Sequence, residues 1–365
     1  MRTRKEQALR TRILLLPVFL TACLLISCSR APGADNPNVP VAQVTPHPYS
    51  GKLEPDDGQW IRPARDFAST RYSSLDQIST QNVKQLKLAW TFSTGTLRGL
   101  EAAPLVVNNT LYLVTPWPNI LYALDLTKPG APMKWAYEPK PVAASKGVAC
   151  CDWVNRGAVY GFGKIYYNTL DNYTVAVDAN TGKEAWKTKL GDINKGESMT
   201  MAPLLVKDKV IVGNSGGEFG VRGWVTALDA KSGKLAWRAY STGPDQDVLI
   251  GPNFKPFYPQ DRGKDLGVTS WPPEMWKIGG GGMWGWISYD PELNLIYHGT
   301  TTPDRGTPMN ALVTTSGLQE FLRVMWIQER RGGFISGVRT TSTITTGSTK
   351  TSFWIFRSMG RLEKS

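Results

Sequence analysis

Residues Gly147-Val148-Ala149-Cys150-Cys151-Asp152-Trp153-Val154-Asn155-Arg156-Gly157 place two thiols, an indole and a guanidinium within a few positions of one another. Such a set can do redox chemistry at sulfur or hold an anion at the arginine. Neighbouring Cα atoms sit about 3.8 Å apart, below the roughly 4.4–6.8 Å usual for bridged cysteines, so a Cys150–Cys151 disulfide would close a strained eight-membered ring. Strain of that kind tends to mark a functional site. Two unlinked buried thiols are the plainer alternative, and the pair alone leaves both open. Three further stretches carry chemistry. Asn214-Ser215-Gly216-Gly217-Glu218-Phe219-Gly220-Val221-Arg222-Gly223 is a glycine-rich turn whose amides can approach a planar acidic ligand closely, and its Glu218 can offer a carboxylate oxygen to a hard cation. Trp276 to Trp286 sets indoles on either side of Gly279-Gly280-Gly281-Gly282. Arg98-Gly99-Leu100-Glu101-Ala102-Ala103-Pro104 carries Glu101, which is otherwise an ordinary solvated loop carboxylate.

The elements that must position these residues are strands. Ala123-Leu124-Asp125 is followed by Lys134-Trp135, Ala176-Val177-Asp178 by Thr181-Gly182-Lys183-Glu184-Ala185-Trp186, and Ala227-Leu228-Asp229 by Ser232-Gly233-Lys234-Leu235-Ala236-Trp237. The aspartates recur about every fifty residues, the length of a four-stranded propeller blade. In each repeat Ala-x-Asp ends an alternating strand, Thr/Ser-Gly turns the chain, and the Trp that follows wedges one blade against its neighbour. Short apolar strands fill the intervals at Ala103 to Val114, Ala158 to Asn168 and Ala202 to Gly213, and Leu86-Lys87-Leu88-Ala89-Trp90 precedes them. There is no long amphipathic helix. The expected class is all-β.

At 365 residues, with 14 Trp and 36 Gly, the composition is that of a turn-rich globular β protein. The formal charge of +12 does not imply nucleic-acid binding. Residues 1–30 carry six Lys/Arg against one Glu, and residues 302–365 carry nine against four acidic groups, a net of +5 each. The body keeps only +2, with no basic stripe for phosphates to follow. Arg2, Arg4, Lys5, Arg10 and Arg12 ahead of the apolar run Ile13 to Ile26 read as an export leader, residues 1–28. Leu25-Ile26-Ser27-Cys28 looks like a lipobox and Leu20-Thr21-Ala22-Cys23 is a second candidate, so a lipidated Cys28 or Cys23 would attach the protein to a membrane. Cleavage without lipidation, or an uncleaved anchor, is the alternative. Export puts the cysteine pair in an oxidising compartment, the periplasm, where a disulfide persists. Residues 29–50, rich in Pro, Ala and Asn, read as a linker.

Taken in order, Glu101, Cys150-Cys151, Arg156, Asn214 to Gly223 and Trp276 to Trp286 resemble the quinoprotein alcohol dehydrogenases that use pyrroloquinoline quinone (PQQ). The resemblance implies the N-terminal portion of an eight-bladed β-propeller with tryptophan-docking motifs. It implies a vicinal Cys150–Cys151 disulfide on one face of the quinone and Trp284 stacked on the other. By the same resemblance Glu101 reaches the quinone carboxylates or ring edge, Arg156 pairs with a cofactor carboxylate through its planar fork, and Thr200 offers a hydroxyl. Ser215, Gly216 and Gly217 line the cofactor, and Glu218 is a ligand of calcium or a lanthanide. Many relatives have Thr-Asn where this chain has Gly282-Met283, so a hydrogen bond from that Thr is not transferred, and Trp286 is expected in the core. The implied reaction takes hydride from a small primary alcohol to PQQ and passes electrons to a periplasmic cytochrome c.

The match is continuous to His298-Gly299-Thr300 and then departs. The family's next metal-ligating Asn and its catalytic Asp are absent, and none of Asp304, Glu320 or Glu329 sits in their context, so no catalytic base is assigned. With suitable codons, a one-base shift at codon 301 or beside it spells the missing Asn across the junction of Thr301 and Thr302, and residues 303 onward then spell the next docking motif and a D-Y-D-G segment, in order. The paired aspartates of that segment are the pattern of lanthanide-using relatives. The expectation is therefore a partial propeller over 51–301 and a non-family tail over 302–365 that results from a frameshift. Such a chain would lack useful turnover and expose aggregation-prone blade edges. The competing reading is an exported, non-catalytic propeller lipoprotein that scaffolds other envelope proteins.

Overall fold

The computed structural model describes residues 57–149, 152–250, 264–269, 271–278 and 280–300, together with the backbone of 322–326. Contacts divide the chain into Met1–Lys52 and Leu53–Ser365, and all described residues belong to the second unit. The leader, the linker, Cys23, Cys28, Cys150 and Cys151 lie outside the described residues.

Four antiparallel sheets follow one another, each with its strands in chain order. The first holds β1 (Leu105–Val107), β2 (Thr110–Val114), β3 (Leu121–Asp125) and β4 (Met133–Tyr137). The second holds β5 (Ala158–Gly161), β6 (Lys164–Asn168), β7 (Tyr173–Asp178) and β8 (Glu184–Lys189). The third holds β9 (Leu204–Val206), β10 (Lys209–Gly213), β11 (Trp224–Asp229) and β12 (Leu235–Tyr240). The fourth holds β13 (Ile287–Asp290), β14 (Leu295–Gly299) and β15 (Leu322–Trp326). Two one-turn helices, Asp245–Val248 and Leu266–Thr269, are the α-helices among the described residues. The first hairpin turns through Asn108 and Asn109, both at positive φ, which gives the reversal the right-handed twist of its strands.

The repeat motif works at two levels. Locally, the aspartate ending the third strand accepts hydrogen bonds from the turn that follows: Asp178 Oδ1 from Thr181, and Asp229 Oδ1 from the amide and hydroxyl of Ser232, at 2.8 and 2.6 Å. Those bonds hold the Asp125, Asp178 and Asp229 carboxyls below the usual carboxylate range. A bulge just after Ala123, Ala176 and Ala227 then sets Trp135, Trp186 and Trp237 opposite those alanines. Between sheets, each indole reaches the next repeat. Trp135 Nε1 donates to the Ala179 carbonyl at 3.3 Å, and Trp186 Nε1 donates to the Ala230 carbonyl at 3.1 Å. Tyr112 and Tyr166 hydroxyls donate to the same two carbonyls. A Cβ on Gly182 or Gly233 would lie 2.7 or 2.6 Å from the docked ring, so only glycine fits under the indole. Three apolar clusters fill the sheet interfaces, with Leu105, Leu121, Ile165 and Tyr167 between the first and second, and Ile211, Val225, Met283 and Ile296 between the third and fourth.

The segment 57–71 was not legible as structure in the sequence, yet it ties the sheets together. Trp60 exchanges two backbone hydrogen bonds with Val106 of β1, Ile61 accepts from Tyr160 of β5, and Phe67 accepts from Tyr289 of β13. It therefore runs along the first strand of three sheets, and its buried Arg62 lies 4.1 Å from the Phe67 ring centroid. The tail differs from expectation at one point. Residues 302–365 lack the repeat motif, but Leu322–Trp326 pairs along β14 as a third strand. That pairing is made by main chain and needs no motif.

Truncating Trp186 to Ala is expected to cost about 3 kcal/mol of unfolding free energy, the low end for a Trp because the ring is partly exposed. Gly233→Ala forces an L-residue to a φ of 70° against that ring. In denaturant titrations the double variant should lose less than the sum of the two, because removing the ring relieves the clash. Ser232→Ala should let the Asp229 carboxyl rise towards its ordinary value of 3.8. The carboxyl is depressed in the fold, so its contribution is present above that value and lost as pH falls through the folded value. The variant should thus unfold more easily near pH 7 and match wild type near pH 2, with NMR titration of Asp229 as the direct check.

Candidate functional site

The loops that join the sheets carry the residues singled out above. Asn155 is buried; its Nδ2 donates to the Asn168 carbonyl at 2.8 Å and its Oδ1 accepts from the Gly157 amide at 2.9 Å. Gly157, at a φ of 117°, bridges to Ala103, two residues after Glu101. The Arg156 amide, between them, donates to the Thr200 carbonyl at 3.0 Å. Three loops therefore converge on the arginine through main chain.

Arg156 is the centre of the resulting cluster. Its Nη2 lies 3.2 Å from Glu101 Oε2, and its Cζ lies 5.0 Å from the ring centroid of Trp284, within cation–π range. Its side chain is 19 % exposed, and its buried Nη1 has no hydrogen-bond partner. A buried guanidinium nitrogen without an acceptor is unusual, because leaving a charged donor unpaired costs free energy. Trp284 leaves 43 % of its surface exposed beside it. The sequence-predicted Glu101, Arg156 and Trp284 are thus brought together.

The second group stands on the third sheet. Thr200 Oγ1 and Ser215 Oγ are 3.2 Å apart, and Ser198 and Ser215 exchange backbone hydrogen bonds. Asn214 is buried and accepts from the Trp224 amide at 2.8 Å, which anchors the start of the glycine turn. Gly216 has a φ of 112°, and a Cβ there would fall 2.1 Å from the Gly196 carbonyl oxygen. Gly217 is buried in the one-turn 3-10 helix Gly217–Phe219, and Glu218 on that turn is exposed. Glu218 makes no hydrogen bond or ion pair among the described residues, so it is brought to the loop and not to the arginine cluster. Trp286, expected in the core, is half-buried, with Arg71 Cζ 4.6 Å from its ring centroid. Met283 is fully buried and packs against Gly213.

Sequence reasoning missed the shell around residues 152–153. Asp152 sits at a φ of 96°, and its carboxylate is 3.5 Å from Arg98 Nη1. Arg98 Cζ lies 4.1 Å from the Trp153 ring centroid, and Lys146 Nζ lies 5.0 Å from it and 4.3 Å from that of Trp117. Trp117, before a cis proline, donates its amide to the Trp153 carbonyl at 2.9 Å. Arginine and indole in neighbouring loops were the available signal.

The arrangement fits a planar, carboxylate-bearing ligand: an orphaned guanidinium nitrogen, an exposed indole face and a pair of hydroxyls. It does not assemble a cation shell, since no group of three or more His, Cys, Asp or Glu stands together among the described residues.

Comparison with known proteins agrees. Residues 60–307 match the family model for the glucose/ethanol/alcohol dehydrogenase β-propeller domain, PQQ. A lanthanide-dependent methanol dehydrogenase of Methylacidiphilum fumariolicum is 54 % identical over 252 residues, 69 % of this chain and 41 % of that protein. Methanol dehydrogenase [cytochrome c] subunit 1 of Methylobacterium organophilum is 48 % identical over 258 residues, 69 % of this chain and 41 % of its own length. A europium-containing methanol dehydrogenase structure superposes with a TM-score of 0.69 at 48 % identity, covering 76 % of this chain and 48 % of that one. The chain spans about two-fifths of the length of these curated relatives, 41 % in both cases. Its four sheets are part of a propeller, and the chain belongs to the glucose/ethanol/alcohol dehydrogenase β-propeller family that uses PQQ.

Proposed function

We propose that this chain supplies the PQQ-holding part of an exported, periplasmic alcohol dehydrogenase of the methanol dehydrogenase type. The observation that carries the reading is Arg156, half-buried, paired on one side with Glu101, set against Trp284, and left with a buried Nη1 that has no partner. PQQ, when bound, supplies a two-electron acceptor for hydride from a primary alcohol, and electrons leave to a cytochrome c. The chain's own residues bind and orient. Arg156 pairs with a carboxylate of the cofactor, Trp284 stacks on one face, and Thr200 and Ser215 offer hydroxyls to its polar edge. Gly216 and Gly217 allow close backbone approach, while Cys150 and Cys151 as a disulfide cover the opposite face. Glu218 gives one oxygen to calcium or a lanthanide. The relatives' names support both the cation and the cytochrome partner. Lipidation at Cys28 or Cys23 would add membrane attachment.

No carboxylate of this chain stands in the family context of the catalytic base. We infer that the chain as translated binds PQQ without useful alcohol turnover, and that residues 302–365 are read in a shifted frame. Resequencing the DNA across codons 295–310 tests the second inference. A restored frame running through D-Y-D-G supports it, and confirmation of the present frame removes it.

The binding test is to add PQQ with calcium or lanthanum to the full chain, then follow the quinone absorbance retained after dialysis and the quenching of tryptophan fluorescence. Retention with quenching is expected; no uptake would favour the scaffold reading. Arg156→Ala should weaken PQQ binding roughly 10–100-fold, the loss of one charge-assisted hydrogen bond. Arg156→Lys should recover only part of it, because an ammonium cannot form the fork. Gly216→Ala should abolish retention while the far-UV spectrum of the sheets is unchanged, since the added Cβ collides with the Gly196 carbonyl and distorts only the turn.

A further inference from the structure

The stretch between β12 and β13 carries one wall of the candidate site on very little regular structure. Among the described residues of 241–286 there are two one-turn helices and the 3-10 turn Met275–Lys277, and the stretch delivers Trp284 near its end. The other side of the site stands on the glycine turn, Asn214 to Gly223. Asn214 closes the neck of that turn: its Nδ2 donates to the Arg222 carbonyl at 3.1 Å and its Oδ1 accepts from the Trp224 amide. The two segments meet at the side chain of Arg222.

Arg222 grips the 241–286 stretch at several points. Its Nε donates to the Thr242 carbonyl at 2.9 Å, and its Nη2 donates to the same oxygen. Its Nη1 lies 2.8 Å from Asp247 Oδ2. Its Cζ lies 3.9 Å from the ring centroid of Tyr240 and 4.8 Å from that of Trp276, both within cation–π range. Thr242 Oγ1 in turn donates to the Trp276 carbonyl at 2.9 Å. Gly243, at a φ of 112°, makes room for this side chain, since a Cβ there would collide with Arg222 Nη2. Next to the arginine the two backbones touch. The Gly223 amide donates to the Gly280 carbonyl at 2.9 Å, Ser241 Oγ donates to the Gly281 carbonyl at 2.6 Å, and a Cβ on Gly223 would strike that same carbonyl. An ammonium could replace one of these bonds. A planar fork reaches the Thr242 carbonyl and the Asp247 carboxylate together and still offers a flat face to a ring.

We propose that Arg222 is a positioning residue that couples the two walls of the site, so that the glycine turn carrying Ser215 to Glu218 and the segment carrying Trp284 are held in register as one unit. It acts through Thr242, Trp276 and the Gly223–Gly280 backbone bond. With its side chain 15 % exposed and its charge met by Asp247, the clamp is set before any ligand arrives. A planar ligand held by both segments then meets a preformed gap, and loses affinity when that register is loose. This consequence rests on the reading of the two segments as walls of a PQQ site; the coupling itself stands on the contacts alone.

Amide hydrogen exchange of the full chain, read by mass spectrometry without PQQ or metal, tests the coupling. Arg222→Lys should speed exchange about tenfold or more in peptides from both 214–223 and 278–286, as the loss of a charge-assisted hydrogen bond implies, with β10 and β11 unchanged. Arg222→Ala should do the same, and millimolar guanidinium, but not ammonium, should restore slow exchange, a rescue that general destabilisation would not show. Asp247→Asn keeps the bonds to Thr242 and should give a smaller acceleration in the same two peptides, which decides the matter if neither substitution of the arginine folds. Faster exchange confined to 242–277, spread over the third sheet, untouched by guanidinium, or absent would overturn the proposal. Binding is read second: Arg222→Lys should weaken PQQ retention roughly tenfold and reduce the tryptophan quenching per cofactor bound. If wild type takes up no PQQ, the cofactor reading fails and exchange still decides the coupling. If wild type takes it up and Arg222→Lys binds it equally well, the positioning role falls.

Discussion

Everything in this fold depends on how one sheet grips the next. A four-stranded sheet cannot bury both faces by itself, so its stability comes from neighbours. Here the grip is a hydrogen bond from an indole to a carbonyl, with a glycine beneath the ring. Ala179 and Ala230 each receive an indole and a tyrosine hydroxyl, so one carbonyl fixes both the angle and the height of the adjoining sheet. The apolar clusters could slide; the directional bonds cannot. That rigidity lets loops from different sheets meet with the accuracy a binding site requires.

The site inherits its geometry from this grip. Arg156 follows the first sheet, Thr200 follows the second and Trp284 leads into the fourth, so none is near another in sequence. They meet because the Arg156 amide donates to the Thr200 carbonyl and because Gly157 bridges to Ala103 beside Glu101. The side chain of Asn155 secures the turn between these bonds. The arginine is thus held by backbone on both sides, and its side chain has little entropy left to lose on binding.

Legibility in the sequence followed the period of the motif. Asp125, Asp178 and Asp229 with their tryptophans gave the blades, since strand, turn and wedge are local and repeat. The order of Glu101, Arg156, Ser215 and Trp284 suggested a candidate site through family resemblance, and Glu101, Arg156 and Trp284 meet in space. What escaped was non-local. The strap at 57–71 has no periodicity, and its role lies in backbone bonds to Val106, Tyr160 and Tyr289, which no side-chain pattern announces. Pairing of Leu322–Trp326 along β14 is likewise a main-chain event. The stack of Arg98, Trp153, Lys146 and Trp117 joins three loops, and only the fold reveals that they touch.

Charge balance explains why the proposed ligand would bring a cation with it. Glu101 already opposes Arg156 at 3.2 Å, so the pair is nearly neutral before anything binds. A quinone bearing carboxylates adds negative charge beside Glu101, and Glu218 contributes another carboxylate from the glycine turn. One guanidinium does not offset that total, because carboxylates brought close together repel one another. A hard multivalent cation coordinated by oxygen is the economical remedy, and a trivalent ion offsets more of the charge than calcium with the same ligands. On this reading the cation serves electrostatic closure of the pocket as well as chemistry. If Glu218 gives such a cation one oxygen, the further ligands come from outside the residues that build the arginine cluster.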